Sequence, residues 1–104
     1  MKKILFLEPA KFEIIESAEF YEQKSKGLGK SFLSSVRKAT QIIKRDTLVW
    51  PIVDFEDQIR RYILKRFPYA ILYRDEIDKV IIIAVMHMHR EPDYWKNRII
   101  THKI

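Results

Sequence analysis

Apolar and polar positions along this chain follow a helical period in the first half and a strand period in the second. Residues 3–8 read as a short strand closed by Pro9. From Ala10 to about Ser25, Ile14, Ala18 and Tyr21 recur at i, i+4 and i+7, one face of a helix. Glu13, Glu16, Glu19 and Glu22 run along the other side, which predicts a solvated acidic face. Gly27-Leu28-Gly29 breaks the pattern and predicts a tight connection folding two helices into a hairpin. The second helix is expected from about Lys30 to Asp46. Phe32, Val36, Ala39 and Ile43 form its apolar stripe, widened by Leu33 and Ile42.

Beyond Asp46 the period changes. Trp50-Pro51 and the acidic stretch Asp54 to Asp57 predict a loop. Arg60 to Phe67 alternates, with Tyr62 and Leu64 facing one way and Arg61, Ile63 and Lys65 the other. Pro68 forces a strand end or a bulge. Tyr69 to Arg74 is rich in β-formers, and Asp75-Glu76-Ile77-Asp78 predicts a hairpin turn. Lys79 to His89 is expected as the longest strand, buried on both faces along Val80 to Val85. Residues 96–104 are compatible with a short helix, an added strand or a mobile end. The expected fold is α+β: an N-terminal strand and a helical hairpin packed on a mostly antiparallel sheet, β-α-α-β-β-β, with room for a short C-terminal helix. At 104 residues, one domain spanning 1–104 is expected.

Composition narrows the function classes. A core of this size leaves no room for a large enclosed cofactor cavity, so no cofactor is expected and a surface site is. The chain has no cysteine, which excludes disulfides and thiolate metal sites. The apolar start Ile4-Leu5-Phe6-Leu7 ends at Glu8-Pro9, shorter than the roughly 7–15 residues of a signal peptide. Val80 to Met86 falls far below the ~20 residues of a membrane span. A soluble, cytoplasmic protein is expected, without membrane partners. The formal net charge of +6 is uneven. Residues 1–57 hold ten Lys/Arg and nine Asp/Glu; residues 58–104 hold ten and five, and so nearly all the excess. Such a basic half suits an anionic partner: a nucleic acid, a ribosome or an acidic protein segment.

Three stretches carry a family likeness. Arg60-Arg61-Tyr62-Ile63-Leu64-Lys65-Arg66-Phe67-Pro68-Tyr69-Ala70-Ile71-Leu72-Tyr73 places basic residues before an FPY-x-I-x-Y hairpin. Ile83 to Trp95 reads as a final strand running into an H-x-x-R-x-P-x-x-W tail. The spacing Ala18, Tyr21-Glu22, Gly27-Leu28-Gly29, Phe32 matches a helical hairpin of the same kind. Together, over roughly residues 4–98, the chain resembles the RelE/ParE superfamily of type II toxin–antitoxin toxins, closer to the ParE-like branch. The resemblance implies a growth-inhibiting, plasmid-stabilising type of protein silenced by a cognate antitoxin in a hetero-oligomer. ParE-like members are associated with poisoning DNA gyrase; RelE-like members cut messenger RNA in the ribosome; some members have lost detectable toxicity.

Metal-free RNA cleavage needs a base, a cation for the phosphate charge and an acid. The catalytic candidates under the RelE-like reading are Arg61, His87, His89 and Arg90, with the histidines two apart on the predicted last strand and so on one face. The alternative is structural: histidines at a strand end, His87 packing or bonding to backbone. Arg60, Arg61, Lys65, Arg66, Arg74 and Tyr94 are the candidates for contact with a nucleic acid or other target, Arg61 foremost for a phosphate. Against this, a charge run is commonly a solvated face. His-x-His also suits a metal, but the neighbouring ligand set is too thin and no metal site is expected. Trp95 is expected to close the core edge, and Tyr62, Phe67, Tyr69 and Tyr73 to be sheet core. Gly27-Leu28-Gly29 is read as a turn, lacking the strand and the further glycine or lysine of a phosphate loop.

Overall fold

A computed structural model describes the backbone of residues 2–102 and the side chains of residues 2–99. The order is β1 (Lys3–Phe6), α1 (Glu8–Lys24), α2 (Leu28–Arg45), β2 (Ile52–Asp54), β3 (Ile59–Ile63), β4 (Tyr69–Asp75), β5 (Lys79–His87) and α3 (Lys96–His102). The five strands form one sheet in the order β1-β5-β4-β3-β2. Only β1 runs parallel to its neighbour, pairing Lys3 with Lys79 through Phe6 with Ile82. The fold is α+β, in the expected order of elements. Among the described residues, no helix is long and apolar enough to cross a membrane.

The helical hairpin covers one face of the sheet. Phe32, Val36, Ala39 and Ile43 of α2 are buried against Tyr62, Ile71, Tyr73, Val80 and Ile82. At its centre an aromatic cluster joins helix to sheet: Phe32 lies 5.5 Å from Tyr21, 5.2 Å from Phe67 and 4.9 Å from Tyr69, mostly edge-to-face. Such pairs contribute about 0.5–1.5 kcal/mol each beyond their burial. On the other face, Ile59, Leu72, Ile81, Ile83 and Ala84 are sealed by Leu7, Trp95 and Ile99. Trp95, 4% exposed, closes this second core as its position predicts. The run Val80–Val85 is buried on both faces for the same reason.

Four boundaries differ from the pattern reading. Pro9 lies in the first turn of α1, where its missing N–H leaves no intrahelical bond unmade, so the helix begins earlier than the proline suggests. The expected loop after Pro51 contains β2: Ile52 pairs with Arg60, and the Pro51 carbonyl accepts from the Arg61 N–H at 3.0 Å. Strand β3 stops at Ile63, and residues 64–68 bend, so Lys65 and Arg66 leave the alternation that would have placed them on opposite faces. Strand β5 stops at His87, with Met88 and His89 in a turn.

The α1–α2 corner depends on two glycines and one glutamate. Gly27 adopts φ +89°, a left-handed conformation costly for other residues. The Glu22 carboxylate accepts from the N–H groups of Gly27 and Gly29, each at 3.0 Å, and satisfies the free donors at the start of α2. Gly29 is where the helices touch. A Cβ there would sit 2.5 Å from the Ala18 carbonyl oxygen and 3.0 Å from Glu22.

Two substitutions separate these effects. Gly29→Ala should lower stability by about 1–3 kcal/mol through overpacking, and Gly27→Ala, which meets open space, by about 1 kcal/mol through backbone strain alone. Urea unfolding should show both as lower midpoints with unchanged slope.

Candidate functional site

Antiparallel pairing of β3, β4 and β5 brings the ends of β3 and β5 to the same end of the sheet. There the Met88 N–H donates to the Pro68 carbonyl at 2.8 Å, tying the turn after β5 to the bend after β3. Lys65, Arg66, His87, His89 and Arg90 are therefore gathered on two linked turns. Arg74, at the far end of β4, is not part of this group. It is ion-paired with Glu76 at 3.1 Å.

Each remaining candidate has a distinct environment. Arg60 donates from Nη1 to the carbonyls of Leu48 (3.1 Å) and Trp50 (2.7 Å), so it holds the segment after α2 in place. Arg61 lies on the other face, opposite Leu72, and its buried Nε has no partner among the described residues. Lys65 and Arg66 border a groove of about 250 Å³ between α2 and β3. Ala39, Ile42, Tyr62 and Leu64 line the groove with apolar surface, and Lys38 adds a third cation. Arg90 stacks its guanidinium 4.0 Å from the centre of the Tyr94 ring.

The histidines meet, but not as strand neighbours. Their ring centres are 5.3 Å apart because the turn folds His89 back, and the His89 N–H donates to His87 Nδ1 at 3.1 Å. His87 also packs edge-on against Tyr69 at 5.2 Å. With Nδ1 accepting, the neutral imidazole carries its proton on Nε2. Its one lone pair is thus already used, and acting as a base would require breaking this backbone bond. The geometry is that of a packed strand-end histidine. Among the described residues no group of three or more His, Asp or Glu side chains is placed to hold a metal ion.

The pattern reading missed Glu13 and Arg98. Glu13, expected on a solvated face, points inward from α1 and is nearly buried with Arg98 (side chains 12% and 13% exposed). Arg98 donates from Nη1 to Glu13 Oε1 and from Nη2 to Oε2, both at 2.9 Å, a two-pronged pair. Glu13 also accepts from the Val85 N–H at 3.0 Å and from the Tyr94 hydroxyl, while Arg98 donates to the Ile83 carbonyl at 2.9 Å.

Register explains why β5 needs them. Leu72 is opposite Ala84 and Tyr73 opposite Ile82, so Ile83 is an unmatched bulge residue, and β1 pairing has ended at Ile82. Burial, then the bond to Glu13, raise the Tyr94 hydroxyl above the ordinary tyrosine range. Burial opposes the charge on Arg98, but the bond to Glu13 outweighs it and leaves the guanidinium above its ordinary range. The sequence signal was faint: a glutamate on the same helix side as Ile14 and Ser17, with no motif linking it to residue 98.

The sequence matches no family model and no curated protein. It is similar in fold to a chain of a solved structure described as the chromosomal ParDE TA system from P. aeruginosa. The TM-score is 0.60 and the identity 14%, over 84% of this chain and 96% of that one.

Removing one partner of a buried ion pair leaves the other uncompensated. Glu13→Ala should therefore cost about 3–5 kcal/mol, read as a fall in Tm, and the double change with Arg98→Ala should cost much less than the sum of the single losses. A second outcome concerns alkali. The raised hydroxyls of Tyr94 and of Tyr73, the latter raised chiefly by burial, stay protonated after the unfolded chain begins to ionise. Their contribution to stability should be level below about pH 10 and fall above it, and Tyr73→Phe should flatten that alkaline fall in urea unfolding at stepped pH.

Proposed function

We propose that this chain is the toxin of a type II toxin–antitoxin pair, acting in the cytoplasm as a single domain and silenced by a cognate antitoxin. The observation that carries the reading is the agreement of sequence motifs with fold. The FPY hairpin, the H-x-x-R-x-P-x-x-W tail and the glycine-broken helical hairpin lie in the order the RelE/ParE resemblance requires, and the fold is similar to that of a chain from a ParDE system. The groove between α2 and β3 suits the antitoxin. Its apolar lining and the cations Lys38, Lys65 and Arg66 complement an acidic amphipathic segment that orders on binding.

Among targets, the ParE-like reading, inhibition of DNA gyrase without catalysis, is favoured by the environments of the candidate residues. A cleavage site needs base, acid and phosphate cation within reach of one phosphate. Arg61 is on the α3 side of the sheet, the His87 lone pair is bonded to backbone, and the Tyr94 hydroxyl is bonded to Glu13. Lys65, Arg66, His89 and Arg90 then form a basic binding surface for the target, with Arg61 a separate contact. One observation favours the ribosome-dependent endoribonuclease as the second reading: the same sheet end gathers two histidines and Arg90, which a messenger phosphate would meet. A detoxified module that retains only antitoxin binding is the third.

Pulse labelling after tightly controlled induction separates them. DNA synthesis should stop before protein synthesis, and His87→Gln and His89→Gln should leave growth arrest intact. Translation stopping first, with arrest abolished by those single changes, would reverse the assignment in favour of messenger cleavage. Growth without arrest would leave antitoxin binding as the activity.

A further inference from the structure

Helix α1 carries apolar side chains on both its sides, and only one side is covered. Ala10, Ile14, Ala18 and Tyr21 face the core. Phe12, Ile15 and Phe20 face outward at 63%, 53% and 51% exposure. Helix α2 is different: its large apolar residues turn inward, and its most exposed one, Leu33, is 40% accessible. Exposed apolar residues grouped on one face, unlike ones scattered singly, mark a candidate interaction surface.

Charge distinguishes this face from the rest of the molecule. Glu8, Glu16 and Glu19 share it with the apolar residues, on a protein whose net charge is +6. Glu8 is paired with Lys11 at 2.9 Å, whereas no ion pair is described for Glu16 or Glu19. At the helix end Lys24 sits 4.9 Å over the Phe20 ring, turned toward that ring rather than toward the two carboxylates. The face is therefore an apolar stripe set among carboxylates: Glu19 has no described cation beside it, and Glu16 borders a cleft that also holds His87 and Arg90.

We propose that the outer face of α1 is a docking surface for a basic amphipathic segment of a second protein. Apolar side chains of that segment pack on Phe12, Ile15 and Phe20, and its lysines or arginines meet Glu16 and Glu19. Other occupants fit less well. A two-fold pairing of α1 helices centred on Glu16 would set Phe12 against Phe20 but Glu16 against its own copy. Docking on the basic half of another copy would be head-to-tail and would build a ring or an open chain rather than a simple pair. An anionic lipid surface or an acidic antitoxin would be repelled by the same carboxylates. The site is separate from the α2–β3 groove and independent of the toxin reading.

The test uses the full chain, isotope-labelled, titrated with a synthetic peptide of leucine and lysine at helical spacing and with its glutamate-for-lysine counterpart. The lysine peptide should shift the amides of α1 with micromolar affinity, and the glutamate peptide should not bind. Glu16→Lys with Glu19→Lys should weaken binding about tenfold or more, and Phe12→Ser with Ile15→Ser should remove it, with melting curves confirming that each variant is folded. Absent binding, shifts confined to other elements, or affinity unchanged in both double variants would overturn the proposal. So would a dimer in light scattering that Phe12→Ser dissolves, since a second copy would then be the occupant.

Discussion

A strand that outruns its neighbour is the constraint on which this structure turns. β5 is nine residues long and β1 four, so the far part of β5 loses its partner at Ile82, and the bulge at Ile83 disturbs the ladder further. Backbone groups buried there must find partners or cost about 1–3 kcal/mol each. Glu13 reaches in from α1 for the Val85 N–H, and Arg98 reaches in from α3 for the Ile83 carbonyl. The two then neutralise each other. One ion pair thereby seals a sheet edge, fixes α1 against the sheet and anchors the C-terminal helix. Tyr94, bonded to Glu13 and in contact through its ring with both Arg90 and Arg98, carries this order out to the surface.

That order bears on function, because the basic end of the sheet is built on the turns the network stabilises. Arg90 is held by the ring of Tyr94 and His87 by the turn that follows it. The result is a preformed cationic surface in which His87 is bonded to backbone and the His89 imidazole is exposed. A rigid charged patch suits recognition of a large anionic or mixed target, where complementarity and steering dominate. Chemistry on a phosphate would ask for an unengaged base, and His87 is already engaged.

Much of the fold was legible because it rests on periodicity. The stripe Phe32, Val36, Ala39, Ile43 and the apolar run of β5 announced themselves, as did the glycine corner. Boundaries were less legible where one rule overrode another: Pro9 reads as a stop but sits where a helix tolerates it, and Pro68 ends β3 several residues early through its preceding bend. The network around Glu13 was illegible. Its partners lie at residues 85, 94 and 98, and neither helical period nor local motif reports such a distant pairing. Glu22 is exposed as its side of α1 predicts, but its bonds to the start of α2 were not legible, since an acidic side chain that caps the next helix looks like one in water. The candidate cations were named as one basic cluster, but sequence could not show that Arg60 and Arg74 were already committed to structural bonds.

The parallel pairing of β1 with β5 also bears on how the molecule is made. Lys3 lies beside Lys79 and Glu13 beside Arg98, so the first strand and first helix wait for residues far downstream in the chain. The α1–α2 corner, closed by the local Glu22 bonds, can form early; the sheet that it covers cannot. A nascent chain released too soon would lack the arginine that Glu13 requires and the helix that seals the second core. Synthesis through Arg98 is thus a condition for the native fold, and the interval before it leaves the hairpin's apolar face open to whatever partner is present in the cell.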